Sequence, residues 1–194
     1  PTVAFGQGYS LTAMQATSVF ATIANNGVRV SPTVIAGTSD ASGNYTPSAT
    51  RESVRVISAD TARKMRIMME SVVSGNGTAP SAAIEGYRVA GKTGTAQRID
   101  DTCGCYRGYT ASFIGFAPAD NPAYVISVTI QDPKGLHWGG ALGGPVFKKV
   151  MSFVLQSKGI APTGTKVDPV ALTEKQVIAE RKLAEQKAAR VKTN

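Results

Sequence analysis

Four consecutive residues, Lys92, Thr93, Gly94 and Thr95, carry the chemistry most open to interpretation in this sequence. If the stretch Val89–Gln97 is a strand, Thr93 and Thr95 lie two apart and share a face. Two hydroxyls side by side can hold a substrate carboxylate. Lys92 adds a positive charge, which counts for more in a water-poor cleft than in bulk solvent. Gly94 has no side chain, so a second backbone can approach and pair as an added strand. The Thr95 N–H can then point at an oxyanion developing beside it. Together these groups would form one wall of an acyl-transfer site.

The same letters admit an incompatible reading. Gly86, Gly91, Lys92 and Thr93 fit the phosphate-binding pattern G-x-x-x-x-G-K-[ST]. Such a loop must be flexible and must open a helix, so that its backbone N–H groups wrap phosphates. Here the variable positions include Tyr87 and Val89, which favour strands. Gly94 and Thr95 are poor helix openers. The residues before Gly86, Ser81–Glu85, make a weak apolar strand. Residue types favour the strand, and a P-loop nucleotide-binding protein stands as the alternative from a different class.

The elements that must position this stretch can be read on both sides of it. Thr12 and Gln15 form a capping box for a helix through Met14, Val19, Phe20 and Ile23, which ends at Asn25-Asn26-Gly27. A strand over Val28–Ile35 is broken by Pro32, residues 40–44 make a turn, and Val54–Ile57 is a short strand. Ser58 caps a second helix whose apolar stripe is Met65, Met68, Met69, Val72 and Val73. Strands are expected over Tyr87–Ile99, Tyr109–Phe116 and Ala123–Gln131, joined as an antiparallel meander. Gly135–Gly144 reads as a Gly-rich loop, with His137 and Trp138 as contacts near the cleft. Pro145 sits where a helix would begin, with Val146, Phe147, Val150, Met151 and Val154 as its buried face.

Composition narrows the function classes. A chain of 194 residues can bury a sizeable core. No apolar run approaches the roughly 18 residues of a membrane helix. The formal charge is +8, of which +3 lies in the tail from Thr173 onward. No basic cluster is interleaved with aromatics, which argues against a nucleic-acid partner. The mild excess of positive charge suits an anionic surface or substrate. Cys103 and Cys105 have no histidine near them in sequence, a poor basis for zinc. They are read either as a disulfide with each other in an oxidising compartment or as two free thiols in a hairpin loop. Residues 161–194 change composition into a linker and a basic, Ala/Glu/Lys-rich helical tail with a thin apolar stripe. Phe5-Gly6-Gln7-Gly8 arrives with no leading element, so the chain is expected to start inside a domain.

Several segments together, in this order and spacing, resemble the C-terminal half of the transpeptidase domain of class B penicillin-binding proteins, cell-division type. They are Phe5–Gly8, Ala24–Gly27, Ala90–Gln97, Ser112–Pro118 and Pro145–Phe147. The cysteine-bearing loop and the basic tail lie outside that pattern. The resemblance implies an α+β fold like that of penicillin-binding proteins and serine β-lactamases, an antiparallel sheet of five strands flanked by helices. Residues 1–160 would supply its C-terminal portion. It implies a peptidoglycan D,D-transpeptidase acting by serine acyl transfer and acylated by β-lactams. A penicillin-recognising hydrolase or sensor of the same fold is the nearer alternative.

By the resemblance, Lys92-Thr93-Gly94 is the third active-site motif. Lys92 and the Thr95 N–H would be catalytic, and Thr93, Gly94 and the Thr95 hydroxyl would bind substrate. No serine in the chain has lysine three positions on, so the Ser-x-x-Lys nucleophile is expected in a preceding half. Ser42-Gly43-Asn44 and Ser74-Gly75-Asn76 match Ser-x-Asn in letters only, because they follow the Phe-Gly-Gln-Gly segment instead of preceding it. The implied partners are peptidoglycan stem peptides, β-lactams, the N-terminal half of the same protein and other membrane proteins of the division machinery. The implied location is the extracytoplasmic face of the bacterial plasma membrane, anchored by a helix outside this chain. No cofactor or metal is implied.

Overall fold

Three long strands make the frame that holds Lys92–Thr95. β-Branched and aromatic residues fill Tyr109–Phe116 and Tyr124–Ile130, the composition that fits a half-buried pleated surface. The computed structural model of the chain describes residues 10–49 and 51–164, together with 178 and 182. In chain order its elements are α1 (Ala13–Ala24), β1 (Val28–Val30), β2 (Gly37–Ser39), β3 (Tyr45–Pro47), β4 (Ser53–Arg55), α2 (Ala59–Glu70), β5 (Ala90–Asp100), β6 (Cys105–Ala117), β7 (Tyr124–Gln131) and α3 (Gly139–Ser157). A short 3-10 turn, Pro80–Ala82, precedes β5.

The strands β5, β6 and β7 form an antiparallel sheet in that order. Two small antiparallel pairs, β1 with β4 and β2 with β3, stand apart from it. The sheet is packed on both faces, as the implied α+β architecture requires. On one side Phe113, Phe147, Met151 and Leu155 join β6 to α3. On the other, Ala24, Met69, Ala90 and Phe116 join α1 and α2 to β5 and β6. Phe113 meets Phe147 edge-on at 5.0 Å, a favoured aromatic geometry.

Several local expectations hold and several are corrected. The Thr12–Gln15 capping box is present, with both reciprocal bonds made. Gly27 takes φ +84°, and a side chain there would run into the Ile57 carbonyl. The strand expected over 28–35 stops at Val30, and the β2–β3 hairpin follows it. Ser58 caps α2 as expected; of the expected apolar stripe Met69 and Val73 are buried and Met65 and Val72 half-buried, and the buried face also takes in two charges. Ala62, Arg66, Met69 and Glu70 are buried, while Met68 is exposed. The charges are buried because they have partners. Arg66 donates to Asn26 Oδ1 at 2.8 Å, and Arg88 grips Glu70 through two bonds of 2.7 and 2.9 Å.

The largest correction is α3, which begins at Gly139, six residues before Pro145. Its glycines are helical because the helix axis passes very close to the sheet. A Cβ at Gly143 would come 2.8 Å from Phe113 Cβ, and one at Gly144 would strike Ser81 Oγ. Helix propensity disfavours glycine by about 1 kcal/mol per residue, and close packing of buried backbone overrides it here. Beyond α3 the chain stays on the body: Tyr87 Oη donates to the Ile160 carbonyl at 2.6 Å, and the Gly164 N–H to the Gly86 carbonyl at 3.0 Å. The Phe5–Gly8 segment lies outside the described residues, as does the expected tail helix except for Ile178 and Lys182.

Candidate active site

Lys92, Thr93, Gly94 and Thr95 all lie on β5, so the P-loop alternative fails: no helix opens at Thr93. The register pairs Lys92 with Ile114, Thr93 with Phe113, Gly94 with Ser112 and Thr95 with Ala111. Thr93 and Thr95 therefore share the face that carries Phe113 and α3. Among the described residues β5 has one sheet neighbour, β6, so its other edge is open.

The hydrogen bonds along that edge decide what the hydroxyls can do. Lys92 and Thr93 are adjacent, so their side chains start on opposite faces. Lys92 Nζ nevertheless donates to the Thr93 carbonyl at 3.0 Å and to Thr93 Oγ1 at 3.2 Å. It reaches both by folding round the strand, and its third N–H is left for a partner across the cleft. Thr95 Oγ1 accepts from the Gly139 N–H at 3.2 Å. A hydroxyl that is already accepting keeps its own proton to donate. The Thr95 O–H has no acceptor among the described residues, and a carboxylate arriving at this face would supply one.

Gly139 is the first residue of α3, so the bond also brings the positive end of a helix dipole to Thr95. The approach is tight: a Cβ on Gly139 would collide with the carbonyl oxygens of Gly94 and Ser112. Glycine at 94 has a related cause, since a Cβ there would strike Ser112 Oγ. Space for the neighbouring strand, in addition to any approach by substrate backbone, accounts for that residue.

The residues flanking this edge are aromatic and charged. His137 stacks on Tyr109 with ring centroids 4.1 Å apart and touches Trp138 at 4.8 Å. Trp138 is exposed and is the N-cap of α3, so Trp138 and His137 stand one and two residues from the group that meets Thr95. Cys103 and Cys105 are joined by a disulfide at the tip of the β5–β6 hairpin. In the same tip Asp100 is held below the usual carboxylate range, first by the Thr102 hydroxyl, with the Thr102 N–H and Arg107 adding to it. Asp132 is lowered likewise, chiefly by its bond to Lys134.

A cavity of about 660 Å³ lies elsewhere, between α1, α2 and the short strands, lined by Leu11, Met14, Val19, Ile23, Val56 and Met65 among others. Its wall is mostly apolar and offers no paired nucleophile and base, so the chemistry is assigned to the β5 edge and not to the larger void. No cluster of three or more metal-ligating side chains occurs among the described residues. One polar neighbour of the site is absent from the sequence reading: Thr78 Oγ1 lies 3.1 Å from Thr93 Oγ1. Fifteen residues separate the two, and Thr78 sits in a Gly/Ser-rich stretch that reads as an ordinary turn.

Comparison with known proteins agrees with this fold. Residues 1–152 match the family model for the penicillin-binding protein transpeptidase domain. The chain is 43% identical over 165 residues to penicillin-binding protein PbpB of Mycolicibacterium smegmatis, covering 80% of this chain and 26% of that protein. It is 36% identical to stage V sporulation protein D of Bacillus subtilis, covering 86% of this chain and 26% of that one. The crystal structure of penicillin-binding protein 3 of Mycobacterium tuberculosis complexed with aztreonam superposes with a TM-score of 0.76 at 37% identity, over 87% of this chain and 40% of that one. The chain thus spans about a quarter of the length of the curated relatives it matches.

Proposed function

The chain belongs to the penicillin-binding protein transpeptidase family, and from that premise we propose that it is one part of a peptidoglycan D,D-transpeptidase that works by serine acyl transfer. Residues 1–160 supply the C-terminal portion of the transpeptidase domain, and residues 161–194 are a linker and basic tail. The observation that carries the reading is the state of the two threonines: Thr95 Oγ1 accepts from Gly139 and Thr93 Oγ1 from Lys92, on one face of an open-edged strand. The Thr95 hydroxyl keeps its proton for an anion, and the Thr93 hydroxyl does so when Thr78 is the donor of the bond between them.

In this reading a serine carried by the preceding half of the same protein attacks the penultimate D-Ala carbonyl of a stem peptide. The C–N bond to the terminal D-Ala breaks, and D-Ala leaves with a proton. An amine of a second stem then takes the acyl group and releases the serine. β-Lactams enter the first step and stay attached, which fits the aztreonam and ampicillin complexes of penicillin-binding protein 3. Thr93 and Thr95 hold the substrate carboxylate, Gly94 lets the substrate backbone lie along the edge, Lys92 steers and hydrogen-bonds across the cleft, and the Thr95 N–H faces the oxyanion. No helix of the described residues is long and apolar enough to cross a membrane. An anchor on the preceding half would place the domain at the extracytoplasmic face, among the membrane proteins of cell division.

Labelling with a fluorescent penicillin tests this. The chain alone should give no covalent band, because none of its serines stands in a Ser-x-x-Lys motif. Joined to the preceding half, it should label through the serine of that half. A covalent band on this chain alone would overturn the proposal.

A further inference from the structure

We propose that Thr78 is a positioning residue for Thr93, its hydroxyl setting which way the Thr93 O–H points. The inference rests on the reading of Thr93 and Thr95 as the carboxylate binders. Thr93 Oγ1 has one proton and two lone pairs. Lys92 Nζ, which can only donate, takes one lone pair at 3.2 Å. Thr78 Oγ1 lies 3.1 Å away, and either hydroxyl can be the donor of that bond. If Thr93 donates to Thr78, its proton is spent and none is left for an anion. If Thr78 donates to Thr93, both lone pairs are filled and the Thr93 proton must point elsewhere, toward the open edge. A bound carboxylate selects the second arrangement, and Thr78 is the group that makes it a fully bonded one.

Thr78 can serve this role because its turn is held in place from both sides. The Gly77 N–H donates to the Ser74 carbonyl at 2.9 Å and the Ala79 N–H to the Val72 carbonyl at 2.8 Å. Ala79 is fully buried in the α3-side core. Ser81 Oγ donates to the Gly140 carbonyl at 2.9 Å. A Cβ on Gly140 would run into the Thr78 carbonyl oxygen and lie 3.1 Å from Thr93 Cγ2. The turn is therefore wedged between β5 and the first turn of α3, and a glycine at 140 is what leaves room for Thr78 beside Thr93. The Thr78 side chain itself is exposed, so a change there alters the hydroxyl and spares the core.

The test uses the complete transpeptidase, this chain joined to its preceding half, and compares acylation rates for ampicillin and for ampicillin methyl ester. Thr78→Val keeps the shape and removes the hydroxyl; Thr78→Ser keeps the hydroxyl. Losing one supporting hydrogen bond should slow acylation by ampicillin about three- to tenfold. The methyl ester should be unaffected by Thr78→Val, and Thr78→Ser should match the unaltered protein with both ligands. Thr93→Val is the reference. If Thr93→Val lowers the ampicillin-to-ester ratio while Thr78→Val leaves it unchanged, the positioning role is wrong and the carboxylate reading survives. If Thr93→Val itself leaves the ratio unchanged, the carboxylate reading is wrong and the Thr78 proposal falls with it. Equal slowing of both ligands by Thr78→Val, or a lowered ratio in Thr78→Ser, also overturns the proposal, the first by showing a merely structural role.

Discussion

The Gly139 N–H donates to Thr95 Oγ1 at 3.2 Å, tying the first residue of α3 to the strand that carries Lys92-Thr93-Gly94. One bond thereby links the packing of the α3-side core to the state of a hydroxyl at the site. Residue 139 tolerates nothing larger than glycine, since a Cβ would meet the carbonyl oxygens of Gly94 and Ser112. Gly139→Ala gains at most about 1 kcal/mol of helix propensity. Forcing a methyl group between packed backbones costs about 1–3 kcal/mol. The steric term wins, so the variant should unfold at lower denaturant and acylate more slowly as Thr95 loses its donor. Urea unfolding of the complete domain and penicillin labelling rates measure the two effects, and a stabilised, fully active Gly139→Ala protein would show that the approach is looser than described.

The Arg88–Glu70 pair is nearly buried and joined by two short bonds. It connects the C-terminal end of α2 to the chain just before β5. Removing one partner strands a charge in a poorly solvated place, with a cost of about 3 kcal/mol or more. Arg88→Met should therefore lower the urea midpoint sharply by leaving the Glu70 carboxylate without its guanidinium, and replacing both residues by apolar ones of similar size should cost much less. Equal losses for the single and double changes would mean that packing, not charge, is what the pair provides.

The hairpin tip should respond to acid through Asp100. Thr102 first, and Arg107 after it, hold its carboxyl below the usual range. A folded-state value below the unfolded one stabilises the tip at all pH above the unfolded value. That contribution is lost as pH falls through the lowered folded value. Amide exchange at Thr102, whose N–H donates to Asp100 Oδ1 at 2.9 Å, should stay protected through neutral and mildly acidic pH and speed up only in strong acid. In Asp100→Asn that acid step should vanish. A carboxyl titration midpoint at or above the ordinary aspartate range would contradict the assignment.

The sequence made the frame and the β5 strand legible because their patterns are local. Thr12 and Gln15 cap α1, Tyr109–Phe116 is rich in strand formers and Tyr124–Ile130 alternates; β5 itself starts at Ala90, three residues later than the strand types Tyr87 and Val89 suggest, because Tyr87 closes a turn onto the Ile84 carbonyl. The start of α3 was hidden because Gly139, Gly140, Gly143 and Gly144 are chosen by what packs against them, and propensity alone reads them as loop. Two members of the buried face of α2 were missed for the converse reason: Arg66 and Glu70 look exposed until Asn26 and Arg88, 40 and 18 residues away, are brought to them. The β2–β3 hairpin has strands of three residues with Pro47 at one end, too short for a pattern to register. The placement of Lys92–Thr95 on a strand was readable, whereas the approach of Thr78 and Gly139 to it depends on contacts between distant segments.

The central claim is that the Thr95 hydroxyl binds the substrate carboxylate. Thr95→Val in the complete transpeptidase removes that hydroxyl and leaves the backbone N–H in place. A hydrogen bond to a charged group is worth about 1.5–3 kcal/mol, so acylation by a penicillin bearing its free carboxylate should fall roughly ten- to a hundredfold. The methyl ester of the same penicillin should acylate at an unchanged rate. If Thr95→Val slows both ligands equally, or neither, the hydroxyl is not the anion binder and the face assigned to β5 is wrong.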